Sequence, residues 1–226
     1  TSTGGEGGIV TVELLNAEES EDFNEACRAA GARFSGGVMA CAALADHELS
    51  GAETFHGFTP LDVRSGDAQS LSVGWYASLF PVSVPVGDRD FSQMARAAQK
   101  SFDANRQLSA VPFKRVLDLT SPDELGITSA GRPSMMVSLM DFRGLADAEA
   151  DRFGIYLDNL SHGGINTWIV RHCDQTTITV SFPETPQARH SVHDYIGVLR
   201  GAFKEVNEFT PDWLEERADQ AFAHSA

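Results

Sequence analysis

The chain has 226 residues, of which 42% are hydrophobic and 22% charged, a composition typical of a globular protein with a buried core. Its 32 acidic and 17 basic residues give a formal net charge of −15, which disfavours nucleic-acid binding and docking on an anionic membrane through a basic face. The most apolar stretch, Val73–Val86, contains Pro81 and Pro85 and is shorter than the about 20 residues that a spanning helix needs, so we expect no transmembrane segment.

The sequence predicts three regions. Residues 1–8 are glycine-rich and predict a linker, residues 9–210 one globular subdomain, and residues 211–226 a polar tail, with one more helix as the alternative. The sequence starts at Thr1 without an initiator Met, so we expect a fragment or a processed product.

The first half of the chain alternates strand and helix signals. Ile9–Leu15 predicts a strand, and Ala17–Ala30 a helix capped by Asn16. Apolar residues three and four apart predict a second helix over Phe34–Leu49, rich in Ala and Gly. Leu71–Val86 predicts a strand with an irregular or edge end, because proline interrupts it.

The second half continues this alternation and predicts an α/β fold with a mixed sheet and the helices packed on one face. We expect a helix over Phe91–Phe102, a short helix after Pro112, a strand over Ser134–Phe142, a hairpin of Ile165–Arg171 and Thr176–Phe182, and a long helix after Pro186.

Three groups of residues have a spacing similar to that of known catalytic or metal sites. His190 and Asp194 form an HxxxD, but four residues apart on a helix they predict a surface pair. His172-Cys173-Asp174 predicts a hairpin turn, and His162-Gly163-Gly164 a turn into a strand, because no GxSxG nucleophile motif accompanies it. We predict no metal site and no cofactor.

The cysteine pattern indicates a reducing compartment. Cys27, Cys41 and Cys173 are too few for a disulfide framework, and no CxxC is present. Cys27 and Cys41 lie on apolar helix faces, so we expect buried, unbridged thiols there.

Several stretches, in order, resemble the later motifs of the condensation-domain superfamily. Val73–Leu79 resembles its IGxFVNT motif, and Val111–Arg115 with the preceding Asn105 resembles HQDVPFE. Arg132-Pro133-Ser134 with Met140–Arg143 resembles its RNP motif and the following strand. Phe58–Arg64, Trp168–Arg171 and Val180–Pro183 are similar to further strand motifs of the family. The overall pattern is most similar to the mycobacterial polyketide-associated (Pap) acyltransferases of trehalose lipids.

The resemblance implies a chloramphenicol acetyltransferase-like fold and the C-terminal subdomain of a two-lobed enzyme. The family's catalytic HHxxxDG, which supplies the general base, is absent from this sequence, so the resemblance implies no catalytic residue here. The partners it implies are an N-terminal lobe of the same protein, a trehalose-type acceptor and an acyl thioester donor, either acyl-CoA or a polyketide synthase carrier.

The resemblance also implies a set of residues along a substrate tunnel. Gly74, Trp75, Tyr76 and Ser78 belong to the IGxFVNT-like stretch Val73–Leu79, although Ser78 stands where many condensation domains have Asn. Arg64 and Asp141 complete the set, with a structural ion pair between them as the alternative. A strand hydroxyl for Ser78 and a core position for Trp75 also stay open.

The predicted function is one lobe of an acyltransferase that esterifies a trehalose-based glycolipid with a long acyl chain. A non-catalytic lobe that docks a carrier protein and half of a peptide-synthetase condensation domain are the alternatives. We expect a cytoplasmic location, or a peripheral one at the inner face of the plasma membrane.

Overall fold

The computed structural model describes residues 7–74, 76–119, 135–144, 155 and 165–208. The strands in this part of the chain are β1 Gly7–Asn16, β2 Thr54–Asp62, β3 Ala77–Pro85, β4 Met135–Asp141, β5 Asn166–Arg171 and β6 Gln175–Pro183. The helices are α1 Ala17–Ala29, α2 Phe34–Ser50, α3 Asp67–Ser70, α4 Phe91–Asn105, α5 Phe113–Leu119 and α6 Pro186–Glu208.

The six described strands form one mixed sheet in the order β1-β6-β5-β4-β2-β3. β2, β4 and β5 run parallel to one another, and β1, β6 and β3 pair with their neighbours in the antiparallel sense. The prediction of a mixed α/β sheet is therefore confirmed.

Helices α1, α2, α4 and α6 form a single layer on one face of the sheet. The register places Ile169 beside Ile178, and Phe55 beside Val84, and all four side chains are buried in the core that these helices cover. The expected one-sided helix packing is confirmed for these four helices.

Helix α2 lies at the centre of this layer because the side chains on its surface are small. Its buried residues include Gly36, Gly37, Ala40 and Ala43, and it contacts α1, α4 and α6. A Cβ atom at Gly37 would lie 2.2 Å from Cys27 Sγ, so only glycine lets α1 and α2 approach this closely.

The start of α1 is fixed by hydrogen bonds of the capping residue that the sequence predicts. The Asn16 side chain accepts from the backbone N–H of Glu19, and the Glu19 carboxylate accepts from the backbone N–H of Asn16, at 2.9 Å each. This reciprocal capping box satisfies two N–H groups that the helix leaves unpaired, and it confirms the predicted Asn16 cap.

Strand β3 begins later than the sequence predicts. Of Leu71–Val86, only Ala77–Pro85 is a strand, and the described residues before it belong to a loop that follows the short helix α3. Pro81 and Pro85 fit because β3 is an edge strand. At the other end of the sheet, β1 starts at Gly7, two residues before the predicted Ile9.

Candidate functional site

The candidate site lies at the edge of the sheet where the three parallel strands end. β2 and β4 are neighbours, but only Gly57–Met135 and Phe58–Met136 are paired, and both strands continue to Asp62 and Asp141. Beyond β2 the chain returns to β3 on one side, whereas β4 pairs with β5 on the other. The carboxyl ends of β2 and β4 therefore lie at the same edge of the sheet, with the residues that follow them.

The loop from β2 to β3 is closed at its base by polar contacts. Asp62 accepts from the backbone N–H of Arg64 at 3.0 Å and from its Nη1 at 3.1 Å. The Val63 N–H donates to the Tyr76 carbonyl at 2.8 Å, and the Arg64 guanidinium lies 4.5 Å from the centre of the Tyr76 ring. The backbone N–H of Arg64 holds the pKa of the Asp62 carboxyl below its usual value.

Tyr76 is fixed on its other side as well. Its hydroxyl accepts a hydrogen bond from Ser72 Oγ at 2.8 Å. A Cβ atom at Gly74 would lie 2.9 Å from Tyr76 Cε2, so the ring packs directly against the glycine backbone. Three predicted site residues, Arg64, Gly74 and Tyr76, thus meet in one loop rather than along a strand.

This loop presents two aliphatic side chains to solvent. Leu71 is 90% exposed and Val73 is fully exposed. The two side chains are two positions apart in the loop, and both are accessible for contact with another surface.

Ser78 lies on β3 with its hydroxyl inside the protein. Its Cα pairs with Leu61 across the β2–β3 ladder, and its buried Oγ has no hydrogen-bond partner among the described residues. Buried hydroxyls are usually paired, so Ser78 Oγ has a hydrogen-bonding capacity that no described residue fills. Trp75, the sixth predicted site residue, lies outside the described residues.

Asp141 belongs to a separate charged cluster on the neighbouring strand. It accepts from Arg143 Nε at 2.8 Å and from Arg143 Nη2 at 2.7 Å, and these hydrogen bonds lower the pKa of its carboxyl. Arg171 Nη1 lies 3.8 Å away. The alternative ion pair between Arg64 and Asp141 is wrong, because each residue pairs with a partner two positions away in its own strand end.

Arg171 is the most buried charge of this cluster, at 3% exposure. Its guanidinium lies 3.8 Å from the centre of the Phe34 ring and 3.9 Å from the Glu21 carboxylate, and its Nε has no hydrogen-bond partner. Burial lowers the pKa of Arg171, and the positive charge of Arg143 lowers it further. The cluster thus ties the ends of β4 and β5 to α1 and α2.

Sequence reasoning missed Arg143, Arg171 and Glu21. One signal was available, because Asp62-Val63-Arg64 and Asp141-Phe142-Arg143 repeat the same Asp-x-Arg pattern at two strand ends. In both, the arginine N–H and guanidinium donate to the aspartate. No comparable signal marks the partners of Arg171.

The two rejected constellations that lie in the described residues behave as predicted. His190 Nε2 lies 3.4 Å from Asp194 Oδ2 on the exposed face of α6. The His172 N–H donates to the Gln175 carbonyl across a hairpin turn. Cys27 and Cys41 are buried in the core, and burial raises the pKa of Cys27 to about 12. His162-Gly163-Gly164 lies outside the described residues.

In the described ranges, no group of three or more His, Cys, Asp or Glu side chains is arranged to hold a metal ion. Within the same ranges, no helix combines the length and the apolar character that crossing a bilayer requires.

No family model matches the chain. Curated relatives do, and those named here come from Mycobacterium tuberculosis. The chain is 37% identical over 208 residues to "Acyltransferase PapA3", and 38% identical over 208 residues to "2'-acyl-2-O-sulfo-trehalose (hydroxy)phthioceranyltransferase PapA1". It is 39% identical over 202 residues to "Trehalose-2-sulfate acyltransferase PapA2". These matches cover 87–88% of this chain but only 39–43% of the relatives, so the chain spans less than half of their length.

Solved structures show the same relationship. A structure described as "PapA2 acyl transferase" matches 91% of this chain with a TM-score of 0.81 and 36% identity, over 46% of its own length. The first condensation domain of the CDA synthetase matches with a TM-score of 0.63 at 16% identity, and the X-domain from teicoplanin biosynthesis with 0.69 at 19%. At those identities the last two matches establish the fold alone. The chain is therefore a homologue of the Pap acyltransferases with the fold of condensation domains, and its partial coverage fits their C-terminal half.

Proposed function

We propose that this chain is one lobe of an acyltransferase that esterifies a trehalose-based glycolipid with a long acyl chain taken from a thioester donor. The observation that carries this proposal is the 37–39% identity, over nearly the whole chain, to three Pap proteins named as acyltransferases. Two of these names specify sulfated trehalose substrates.

The lobe role rests on what this sequence contains and on its coverage of the relatives. HHxxxDG is absent from the 226 residues, so the general base comes from the partner lobe. That base removes the proton of the acceptor hydroxyl, the oxygen attacks the thioester carbonyl, and the thiol leaves with a proton. The exposed Leu71 and Val73 support the β2–β3 loop as the contact with that lobe.

This chain's own contribution is one wall of the substrate tunnel. In the proposal, Gly74, Trp75 and Tyr76 form the apolar part of that wall. The unpaired Ser78 hydroxyl binds a polar substrate atom, directly or through a water. Arg64 and Asp141 lie at the carboxyl edge, where their paired partners keep the local charge balanced.

Two other functions are alternatives to this proposal: a lobe that docks a carrier protein, and half of a peptide-synthetase condensation domain. A carrier-docking lobe fits less well with a net charge of −15, because carrier proteins are acidic and favour basic partners. A peptide-synthetase condensation half shares the fold, but the named sequence relatives are Pap proteins. The expected cytoplasmic or inner-membrane location stays a prediction.

The test is ester formation. The longer protein that contains this chain is incubated with trehalose or trehalose 2-sulfate and a long-chain acyl thioester, and the acylated sugar is measured by mass spectrometry. We expect product from the longer protein and none from this chain alone. Replacing Trp75 by Ala in the longer protein is expected to weaken acyl-donor use about tenfold or more, because a large apolar contact is removed.

His190→Ala in the longer protein is the matched control. His190 is exposed on α6 and pairs only weakly with Asp194, so we expect full activity in this variant. Turnover by this chain alone, or loss of turnover in a folded His190→Ala protein, contradicts the proposal.

A further inference from the structure

A narrow groove of about 210 Å³ lies between the outermost strand, β1, and helix α6, and none of the proposed tunnel residues lines it. Its walls are apolar side chains of β1, β6 and α6, namely Val10, Val12, Phe182, Val192 and Ile196. The volume is below the about 300–1,000 Å³ that is usual for pockets enclosing a drug-sized ligand. The groove therefore suits a narrow hydrocarbon chain whose far end extends beyond it.

The groove is open where α6 has a glycine. Gly197 lines the groove, and no atom outside the local helix backbone lies within 4 Å of the position that its Cβ would occupy. On the strand side, Val10 and Val12 pair with Val180 and Ile178, so they face the helical layer, but they are only partly buried. Both sides of the groove thus leave apolar surface accessible at this point.

Basic side chains line this groove, although the whole chain has a net charge of −15. The titratable lining residues are Arg189, His193 and Arg200, and no acidic residue is among the described lining residues. The Arg189 guanidinium is paired with the Glu184 carboxylate. The positive charge that a ligand can use therefore comes mainly from Arg200.

Arg200 and His193 have hydrogen-bond donors that the described residues leave unused. Arg200 is half-buried and donates through Nη2 to the backbone carbonyl of Glu13, a neutral group, and no carboxylate in the described part of the chain forms an ion pair with it. A guanidinium has five N–H donors, so most of them remain available. His193 has no hydrogen-bond partner within the described ranges, and its ring carries an N–H donor in either protonation state. The two side chains flank the open position of Gly197 at helical spacings of four and three residues.

We propose that this groove binds a long-chain carboxylate. The carboxylate lies at Gly197 and accepts hydrogen bonds from Arg200 and His193, while the adjoining hydrocarbon packs against Val10 and Val12. Charge-assisted hydrogen bonds hold the head group, and the apolar walls remove part of the chain from water. The proposal does not depend on the acyltransferase function.

The surroundings of the groove favour a single free amphiphile over a membrane surface. Glu184 and Asp194 lie beside the groove and are both accessible to solvent. These acids and the net charge of −15 would repel an anionic bilayer. A lone carboxylate meets Arg200 without bringing further negative charge towards these acids.

The test measures the binding of a fluorescent long-chain carboxylate, cis-parinaric acid, to the full chain, and its displacement by dodecanoate below the micelle concentration. We expect saturable binding at one site per chain. Gly197→Leu fills the open position and should weaken binding about tenfold or more, because the side chain takes the place of the ligand. Gly201→Leu is the matched control, since Gly201 lies on the same helix, has equally open space at its Cβ position and does not line the groove.

Arg200→Gln tests recognition of the charged end. It should weaken dodecanoate binding about tenfold, because a charge-assisted hydrogen bond is lost. Binding of dodecanol, which has the same chain without the charge, should not change. Arg28→Gln, at an exposed arginine of α1 outside the groove, is the control and should bind both compounds normally. If loss of the Glu13 contact lowers the unfolding temperature of Arg200→Gln, His193→Gln gives the same comparison at an exposed position.

Three results would overturn the proposal. One is the absence of saturable binding to the natural chain, and another is equal binding by the natural chain and by Gly197→Leu, because the probe then binds elsewhere. The third is an equal loss of dodecanoate and dodecanol binding in Arg200→Gln, because the charge is then not recognised.

Sedimentation with phosphatidylglycerol vesicles separates the free ligand from a membrane lipid. We expect the chain to stay in the supernatant. Vesicle binding that Gly197→Leu abolishes would identify a membrane lipid as the ligand and would also overturn the proposal.

Discussion

At the scale of single residues, close packing in the helical layer depends on the absence of side chains. Gly37 faces Cys27 Sγ and the Phe23 ring, and a Cβ atom there would lie 2.2 Å and 3.0 Å from them. Neither neighbour can withdraw easily, because both are fully buried. The alanine and glycine content of α2 predicted this packing, but not the particular glycine on which it depends.

Replacing Gly37 by Ala should destabilise the protein by about 1–3 kcal/mol, the usual cost of overpacking a core. Gly197→Ala on α6 is the matched control, because nothing lies within 4 Å of its Cβ position. Removing a glycine from an exposed helix position should stabilise by about 0.5–1 kcal/mol. Urea unfolding of both variants measures the difference, and equal stability of the two contradicts this account of α1–α2 packing.

Asp141 gives a pH-dependent prediction. Its carboxyl pKa is lowered in the folded protein, first by the hydrogen bond from Arg143, so its stabilising effect is present above the unfolded-state value of 3.8. That effect is lost as the pH falls through the lower folded-state pKa. Asp141→Asn should therefore be less stable than the natural chain at pH 7, by at most about 1 kcal/mol because the pair is partly exposed.

The stability gap between the two proteins should close between about pH 4 and pH 2, as the natural carboxyl is protonated. Chemical denaturation at a series of pH values measures it. Asp194→Asn, in an exposed pair on α6, is the control and should show little effect at neutral pH. A gap for Asp141→Asn that stays constant down to pH 2 contradicts the role of its charge.

At the scale of secondary-structure elements, α4 protects the outer edge of the sheet. The backbone N–H of Ser83 on β3 donates to Ser101 Oγ at 2.9 Å, and Asn105 Nδ2 donates to the Pro81 carbonyl at 3.1 Å. Together with two prolines, these contacts occupy backbone groups that an edge strand would otherwise offer to another chain.

Ser101→Ala should cost about 1 kcal/mol, because it leaves the Ser83 N–H without its partner. It should also raise the tendency to aggregate through β3. Thermal unfolding and light scattering on heating measure the two effects, with the neighbouring exposed position in Lys100→Ala as the control. Identical behaviour of the two variants shows that α4 does not protect this edge.

The predictions of helices and strands were correct where the signal lies in neighbouring residues. They were wrong where a tertiary contact determines the local structure. The Asn16 cap and the surface pair of His190 and Asp194 on α6 follow from spacing alone. Leu71–Val86 was predicted as one strand because apolar residues continue through it. The contacts of Tyr76 with Arg64 and Gly74 hold its first part as a loop, and no periodicity in the sequence reveals them.

In the candidate site, too, some residues were predicted and others were not. The resemblance pointed to Arg64, Gly74 and Tyr76, which the structure brings together. It did not predict that Asp141 pairs with Arg143 and lies near Arg171, because the partners of a buried arginine depend on which strands become neighbours. Strand order is a property of the whole sheet rather than of any stretch of sequence.

At the scale of the whole molecule, the proposed function makes this chain a lobe that works only together with its partner lobe. The direct measurement mixes this chain with the separately produced preceding half of the longer protein and follows transfer from an acyl thioester to trehalose. We predict turnover in the mixture and none in either half. Leu71→Asp with Val73→Asp should abolish it, whereas Leu108→Asp, at another exposed leucine, should not. Turnover by this chain alone, or full turnover of the Leu71→Asp and Val73→Asp mixture, would contradict the claim.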